Sequence, residues 1–302
     1  MNDLLNIDKR FNGEDFRNKF FQYLDVGSKE TIKTYYNGIT NFITYIYENG
    51  IEYPNREDVL MWKAELKEKT SASTVNTWLV GVKRFFKFLS LYNMYPNICE
   101  DIKGYKISQT PKKNILTEEQ IKNIYEDLKN DYTETGIRNK ALFSLLITTG
   151  LRGVEVANAK IENIREINGK NCLFIRCKGH SENDEYVKLA DNVMQDIKEY
   201  IGDRTEGYIF ISNSNHNKGQ GMSTKSIRFI IKGIFRECGI NDDTISLHST
   251  RRTFACESYN LGKSIYDIQQ VLHHTSILTT QRYLKQADRD NNNAEELVAS
   301  IL

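Results

Sequence analysis

The chain has 302 residues, of which 39% are hydrophobic and 27% charged, with 3 prolines and a formal net charge of +1. At roughly 100–200 residues per domain, this length favours two domains, and the composition excludes a disordered or fibrous chain. No apolar run reaches the ~18 residues that a membrane span needs. The opening MNDLLNIDKRFNGEDF is too acidic and broken for a signal peptide, so a cytoplasmic location is the default expectation.

Residues 14–105 read as helical. In KETIKTYYNGITNFITYIYENG, the residues Ile32, Tyr35, Tyr36, Ile39, Phe42, Ile43 and Ile46 recur at three- and four-residue intervals. That is an apolar stripe on one helix face, closed by Gly50. REDVLMWKAELKEK makes a second helix. SASTVNTWLVGVKRFFKFLSLYN makes a third, with Ser71 or Ser73 as its cap and Val75, Trp78, Leu79, Val82, Phe85, Phe86 and Leu89 on the buried side. These aromatic residues are assigned to the core rather than to base stacking. Lys83, Arg84 and Lys87 share the polar face and could touch phosphates.

KGYKISQTPKK follows, with four lysines, no acid, and Pro111. A segment of this kind is either a solvated linker or a strip along a phosphate backbone, where Lys103, Lys106, Lys112 and Lys113 would each displace counterions. The expected division is 1–105 for the first domain, 106–116 for a basic linker and 117–302 for the second domain.

The second domain opens LTEEQIKNIYEDL, a capping box of Thr117 and Gln120. An apolar helix then ends near 148–150, and a short helix starts close to Arg152. CLFIRC, the polar turn HSENDE and YVKL predict a small antiparallel sheet with Lys178 at a strand end. IKEYI, KSIRFIIKGIFRECG, RRTFACESYNLG and SIYDIQQVLHH return to helical spacing. The fold class is mainly α with one small antiparallel sheet. The five cysteines, Cys99, Cys172, Cys177, Cys238 and Cys256, show no CxxC spacing and read as reduced thiols.

The residues able to carry chemistry are spread over this second domain. TTGLRGVE places Arg152 and Glu155 three apart, and LHSTRRTFA does the same for His248 and Arg251. Lys178 precedes a turn glycine, Gly179. In VLHHTSILTTQRYL, His274 stands nine residues before Tyr283. Each pattern alone is ordinary: such Arg–Glu pairs are usually surface salt bridges, and a helical tyrosine is usually packing.

Taken in order, Arg152, Lys178, His248, Arg251, His274 and Tyr283, each in matching local wording, resemble the tyrosine recombinases, or phage integrase family. The motifs cover about 117–290. The layout extends the resemblance over the whole chain, because the family sets a helical, SAM-like core-binding domain before the catalytic one. The resemblance implies a site-specific DNA recombinase acting through a 3′-phosphotyrosyl intermediate on duplex DNA with inverted-repeat core sites. Because the chain starts almost at the core-binding domain, no separate arm-binding domain is expected. That size resembles the Xer-type resolvases and the small recombinases of mobile elements.

The chemistry suits the residue types. Guanidiniums at Arg152 and Arg251 can grip nonbridging phosphate oxygens and stay charged at any relevant pH. A tyrosine hydroxyl titrates near 10 and needs help to lose its proton. By the resemblance, His248 accepts that proton, Lys178 protonates the leaving 5′-oxygen, His274 hydrogen-bonds the phosphate, and Tyr283 attacks. Glu155 would orient its neighbours and bind no metal. The bond energy kept in a phosphotyrosyl link calls for no cofactor and no metal ion.

His273 departs from the family, which usually has glycine there, and is expected to be a helix cap or a solvent-facing side chain. In the tail NNNAEELVASIL, Asn293 can cap and Glu296 stands at the third helical position. Ala294, Leu297, Val298 and Ile301 make an apolar face. The resemblance implies that this helix docks into the next protomer of a homo- or hetero-tetramer on DNA. A monomeric type IB topoisomerase and a DNA-binding protein without chemistry are the alternatives. The terminal helix argues against the first, and the intact residue set argues against the second.

Overall fold

A computed structural model describes residues 14–25, 29–107, 114–176, 184–214, 217–290 and 294–300. It separates into two compact units, 1–108 and 109–302. None of the described helices is long and apolar enough to cross a membrane.

The first unit contains α1 (Glu14–Leu24), α2 (Lys29–Glu48), α3 (Arg56–Lys69) and α4 (Ala72–Leu91). Asn55 and Asp58 form a reciprocal cap at the start of α3. Ser71 caps α4 by accepting from Thr74 N at 3.2 Å, which decides between the two candidate serines. The apolar stripes meet in a core of Phe20, Phe42, Trp62, Phe85, Phe86 and Phe88, all at most 2% exposed. Their rings pack mostly edge to face. Each such burial contributes about 1.5–3 kcal/mol.

Two glycines let α2 and α4 touch backbone to backbone. A Cβ on Gly38 would lie 2.7 Å from Trp78 Cα, and one on Gly81 would lie 2.8 Å from Tyr35 O. The segment after α4 closes this unit: Cys99 and Ile102 are buried in its core, and Asn76 bonds both the N–H and the C=O of Tyr105. Cys99 is a free thiol, and burial pushes its titration up to about 12.

In the second unit, the elements in order are α5 (Glu118–Lys129), α6 (Glu134–Thr149), α7 (Gly153–Ala157), a 3₁₀ turn, β1 (Ile164–Ile167), β2 (Lys170–Ile175) and β3 (Glu185–Lys188). Then come α8 (Asp191–Ile201), α9 (Thr224–Glu237), α10 (Leu247–Asn260), α11 (Ile265–Val271), α12 (Ile277–Asp290) and α13 (Ala294–Ala299). The Thr117–Gln120 capping box starts α5 as the sequence predicts. The sheet is antiparallel in the order β1-β2-β3, with Leu173 opposite both Ile164 and Val187. Strand β1 was not among the expected elements. It turns into β2 through Asn168 (φ +50°) and Gly169 (φ +73°), the Asn-Gly pair that favours a tight hairpin.

Helix α6 forms the middle of this unit, packed on α5, α8 and α10. Lys140 on α6 lies 2.7 Å from Glu199 and 3.7 Å from Asp196 of α8, and Tyr125 of α5 donates to Asp196 at 3.1 Å. The entering chain also docks on this unit: Leu116 is fully buried, and its N–H donates to Thr253 Oγ1 at 2.9 Å.

Candidate active site

The site begins where α6 stops. Gly150 takes φ +64° and ends the helix. A Cβ there would meet Phe254 and Leu272 at 2.7 Å, so side chains are excluded by space as well as by conformation. The turn places Arg152 just ahead of α7. Glu155, 3% exposed, accepts from the Arg152 backbone N–H and from its Nη1, each at 2.7 Å. One buried carboxylate thereby fixes both the start of α7 and the direction of a guanidinium.

Helix α10 brings the second guanidinium. Arg251 is only 2% exposed. Its Nη1 donates to Gly150 O at 2.7 Å and its Nη2 to Leu272 O. Its Nε is buried with no partner among the described residues. Glu155 Oε2 stands 3.9 Å from Arg251 Nη1. One turn earlier on α10 sits His248, exposed at the mouth of an open cleft of about 460 Å³ lined also by Arg152, Arg228 and Arg251.

The phenol comes from α12. Tyr283 Oη lies 2.7 Å from His248 Nε2. The tyrosine ring stands edge-on to two imidazoles, those of His248 at 5.5 Å and His274 at 5.4 Å between centroids. His274 shares a 2.9 Å hydrogen bond between Nδ1 and the Oγ1 of fully buried Thr280. Arg252 Nε and Cys256 Sγ of α10 both reach Tyr283 O at 3.4 Å, clamping the backbone that carries the phenol.

Burial shapes the proton affinities. It lowers that of Arg251, and the neighbouring Arg152 lowers it further. Burial, then Arg251 and Arg152, hold His274 down to about 3, so its imidazole is neutral at physiological pH. Burial raises Tyr283, while Arg251 and Arg152 pull it back down. Among the described residues, the guanidiniums of Arg152 and Arg251 share the carboxylate of Glu155. The arrangement therefore favours an anion beside a phenol within hydrogen-bond reach of an imidazole.

Arg152, Glu155, His248, Arg251, His274 and Tyr283 thus converge on one place. Lys178 and Cys177 lie outside the described residues, as do Lys112, Lys113, Asn293 and Ile301. Arg84, Lys87, Lys103 and Lys106 are exposed on the first unit and Lys83 is half-buried there. Val298 on α13 is 65% exposed.

His273 corrects the expectation in part. It does occupy a helix-terminating position with φ +49°, but its side chain is 8% exposed rather than solvent-facing, and Nδ1 lies 3.1 Å from Glu185 Oε2. Sequence reasoning also missed Thr280, Arg252 and a basic face of α9. On that face Lys225, Arg228, Lys232 and Arg236 are exposed beside Phe229, itself 79% exposed. The spacing of KSIRFIIKGIFR could have signalled it.

Such a cluster on a helical scaffold holds the groups that nucleophilic displacement at a phosphodiester calls for. Residues 114–290 match the sequence model of the phage integrase family, and residues 18–91 match the phage integrase N-terminal SAM-like domain. The chain belongs to the phage integrase family, the tyrosine recombinases. It is 32% identical to tyrosine recombinase XerA of Pyrococcus furiosus over 93% of this chain and 95% of that protein. Its fold is similar to XerH site-specific recombinase in a post-cleavage complex with palindromic difH substrate, at 19% identity and TM-score 0.72, covering 88% of this chain and 80% of that one. It is also similar to a lambda integrase tetramer bound to a Holliday junction, at 14% identity and TM-score 0.65, covering 88% and 75%.

Proposed function

We propose that this recombinase breaks and rejoins duplex DNA at inverted-repeat core sites, in the cytoplasm, with Tyr283 as nucleophile. The phenol oxygen attacks the scissile phosphorus, forming a 3′-phosphotyrosyl bond as the bond to the 5′-oxygen breaks. His248 takes the phenol proton. Lys178 gives a proton to the leaving 5′-oxygen. Arg152 and Arg251 hold the nonbridging oxygens, with the unpartnered Nε of Arg251 as one available donor, and Glu155 keeps both guanidiniums aimed. His274, neutral, donates from its ring to the phosphate. Reversal with a different 5′-hydroxyl joins the new strand without an external energy source.

The observation that carries this reading is the 2.7 Å approach of Tyr283 Oη to His248 Nε2 beside the buried arginine pair. Both groups come from the same chain, which supports cleavage by each protomer's own tyrosine.

The exposed cations of α9 begin where Thr224 and Arg228 line the site cleft. They supply a surface for the flanking duplex, with Lys83, Arg84, Lys87, Lys103, Lys106, Lys112 and Lys113 as further phosphate contacts. We assign residues 1–105 to the core-binding domain, 106–116 to the linker and 117–302 to the catalytic domain. Assembly is as a homotetramer on DNA, each protomer lending α13, with its exposed Val298, to a neighbour.

The test is covalent capture. The protein is incubated with a pool of nicked duplexes bearing randomised inverted-repeat arms, and adducts stable on a denaturing gel are recovered and sequenced. The wild type yields adducts that converge on one site, and Tyr283→Phe yields none. Binding without any adduct would make this a DNA-binding protein only. Relaxation of supercoils by a monomer, without strand exchange between duplexes, would make it a topoisomerase.

A further inference from the structure

The turn after α11 is built in an unusual way. His273 N donates to Gln270 O at 3.0 Å and His274 N donates to Gln269 O at 3.1 Å. These are the paired bonds of a Schellman terminator, whose left-handed position strongly prefers glycine. His273 occupies that position with φ +49°. Its ring is buried, and Nε2 has no hydrogen-bond partner among the described residues. Backbone strain and an orphaned polar atom fall on one residue, a combination that persists where surrounding structure enforces it and that concentrates at functional sites.

The polar contact that the ring does make is with Glu185, the first residue of β3, at 3.1 Å. A carboxylate there places the imidazole proton on Nδ1. The flanking residues give this contact its meaning. Leu272, one residue before, offers its carbonyl to Arg251 Nη2. His274, one residue after, stands edge-on to Tyr283 and bonds Thr280. His273 also lies within electrostatic reach of Glu155 and Arg251. Glu185 is in turn the end of the β2–β3 connection, whose residues include Lys178.

We propose that His273 is a positioning residue, whose bond to Glu185 ties the sheet to the turn that holds Arg251 and His274, and that cleavage depends on this tie. The inference rests on the recombinase reading above. Glycine at position 273 would relieve the strain yet remove the tie, so stability and cleavage separate in opposite directions.

The experiment is a double-mutant cycle with His273→Gly and Glu185→Ala. It is read as the single-turnover rate of adduct formation on the nicked duplex recovered by covalent capture, at saturating DNA. Each single variant is expected to cleave about tenfold more slowly, with DNA affinity within about twofold of wild type and, for His273→Gly, an equal or higher melting temperature. The double variant is expected to be no slower than either single one. His273→Asn, which tolerates positive φ and carries an amide donor, recovers part of the rate. Wild-type rates in either single variant, or losses that simply add, would overturn the tie.

A wild type that forms no adduct would instead count against the recombinase reading. The tie is then decided on the free protein by ¹⁵N NMR of the imidazoles. The His274 ring signals change in both Glu185→Ala and His273→Gly if it exists, and stay unchanged if it does not.

Discussion

The two units bury different things. Among the described residues, every buried side chain of the first unit that is not glycine or proline is hydrophobic, and its aromatic core leaves charge to the surface. The second unit buries Lys140, Glu155, Asp196, Arg251, Arg252 and His274. Burying an ion costs several kcal/mol unless partners offset it. Lys140 has Glu199 and Asp196, and Asp196 has Lys140 and the hydroxyl of Tyr125. Around Arg251 the described carboxylate is Glu155, 2.7 Å from Arg152 and 3.9 Å from Arg251, and Arg251 Nε is left without a partner among the described residues. The first unit is stabilised by what it buries, whereas the second buries charge that, on the proposed function, meets a phosphate.

The sharpest break of this contrast is at the phenol. Tyr283→Phe removes one oxygen, so adduct formation disappears on a denaturing gel while DNA affinity in a gel-shift assay stays within about twofold. Next is Arg251→Ala. Its contact strengthens as charge develops on the phosphate, so the cleavage rate falls by about 10²–10³-fold, far more than affinity does. An equal loss in both would make Arg251 a binding residue only.

In the first unit, Phe85→Ala reads out as stability instead. It costs about 3–5 kcal/mol in urea unfolding, and the protein that remains folded and bound cleaves at the wild-type rate.

A smaller effect follows from His274. Its imidazole is held to about 3 in the folded protein and returns to the ordinary histidine value, near 6.5, when unfolded. Between these pH values the unfolded chain binds a proton that the folded chain refuses. Stability therefore falls as pH drops through that window, by up to about 1.4 kcal/mol per pH unit. Unfolding titrations of His274→Asn should lack this component.

The smallest effects belong to the surface. Lys225→Ala and Lys232→Ala each lower the slope of log affinity against log salt by about 1 and leave the cleavage rate of bound complex unchanged.

Much of this was legible beforehand. The α2 and α4 stripes, the Thr117–Gln120 box and the stop at Gly150 follow from local periodicity and capping. The order of Arg152, Glu155, His248, Arg251, His274 and Tyr283 marks the candidate site because two of its pairs, Arg152–Glu155 and His248–Arg251, lie within a helical turn and the motifs keep their wording. Strand β1 was missed although Asn168-Gly169 announced it, since four residues of mixed polarity give little alternation to read. The basic face of α9 was missed because its apolar face dominates the pattern.

The sequence by itself therefore determined most of the elements, the hydrophobic cores and the candidate reacting groups, all of which depend on short spacings and on residue chemistry. Only the tertiary structure decided that Gly150 and Leu272 lend their carbonyls to Arg251, that Thr280 orients His274, and that His273 turns inward to Glu185. Apart from Thr280 and His274, which are six residues apart, those contacts join residues distant in the chain. Which distant partner a buried polar group finds is set by how helices and sheet pack, and local sequence carries no record of that.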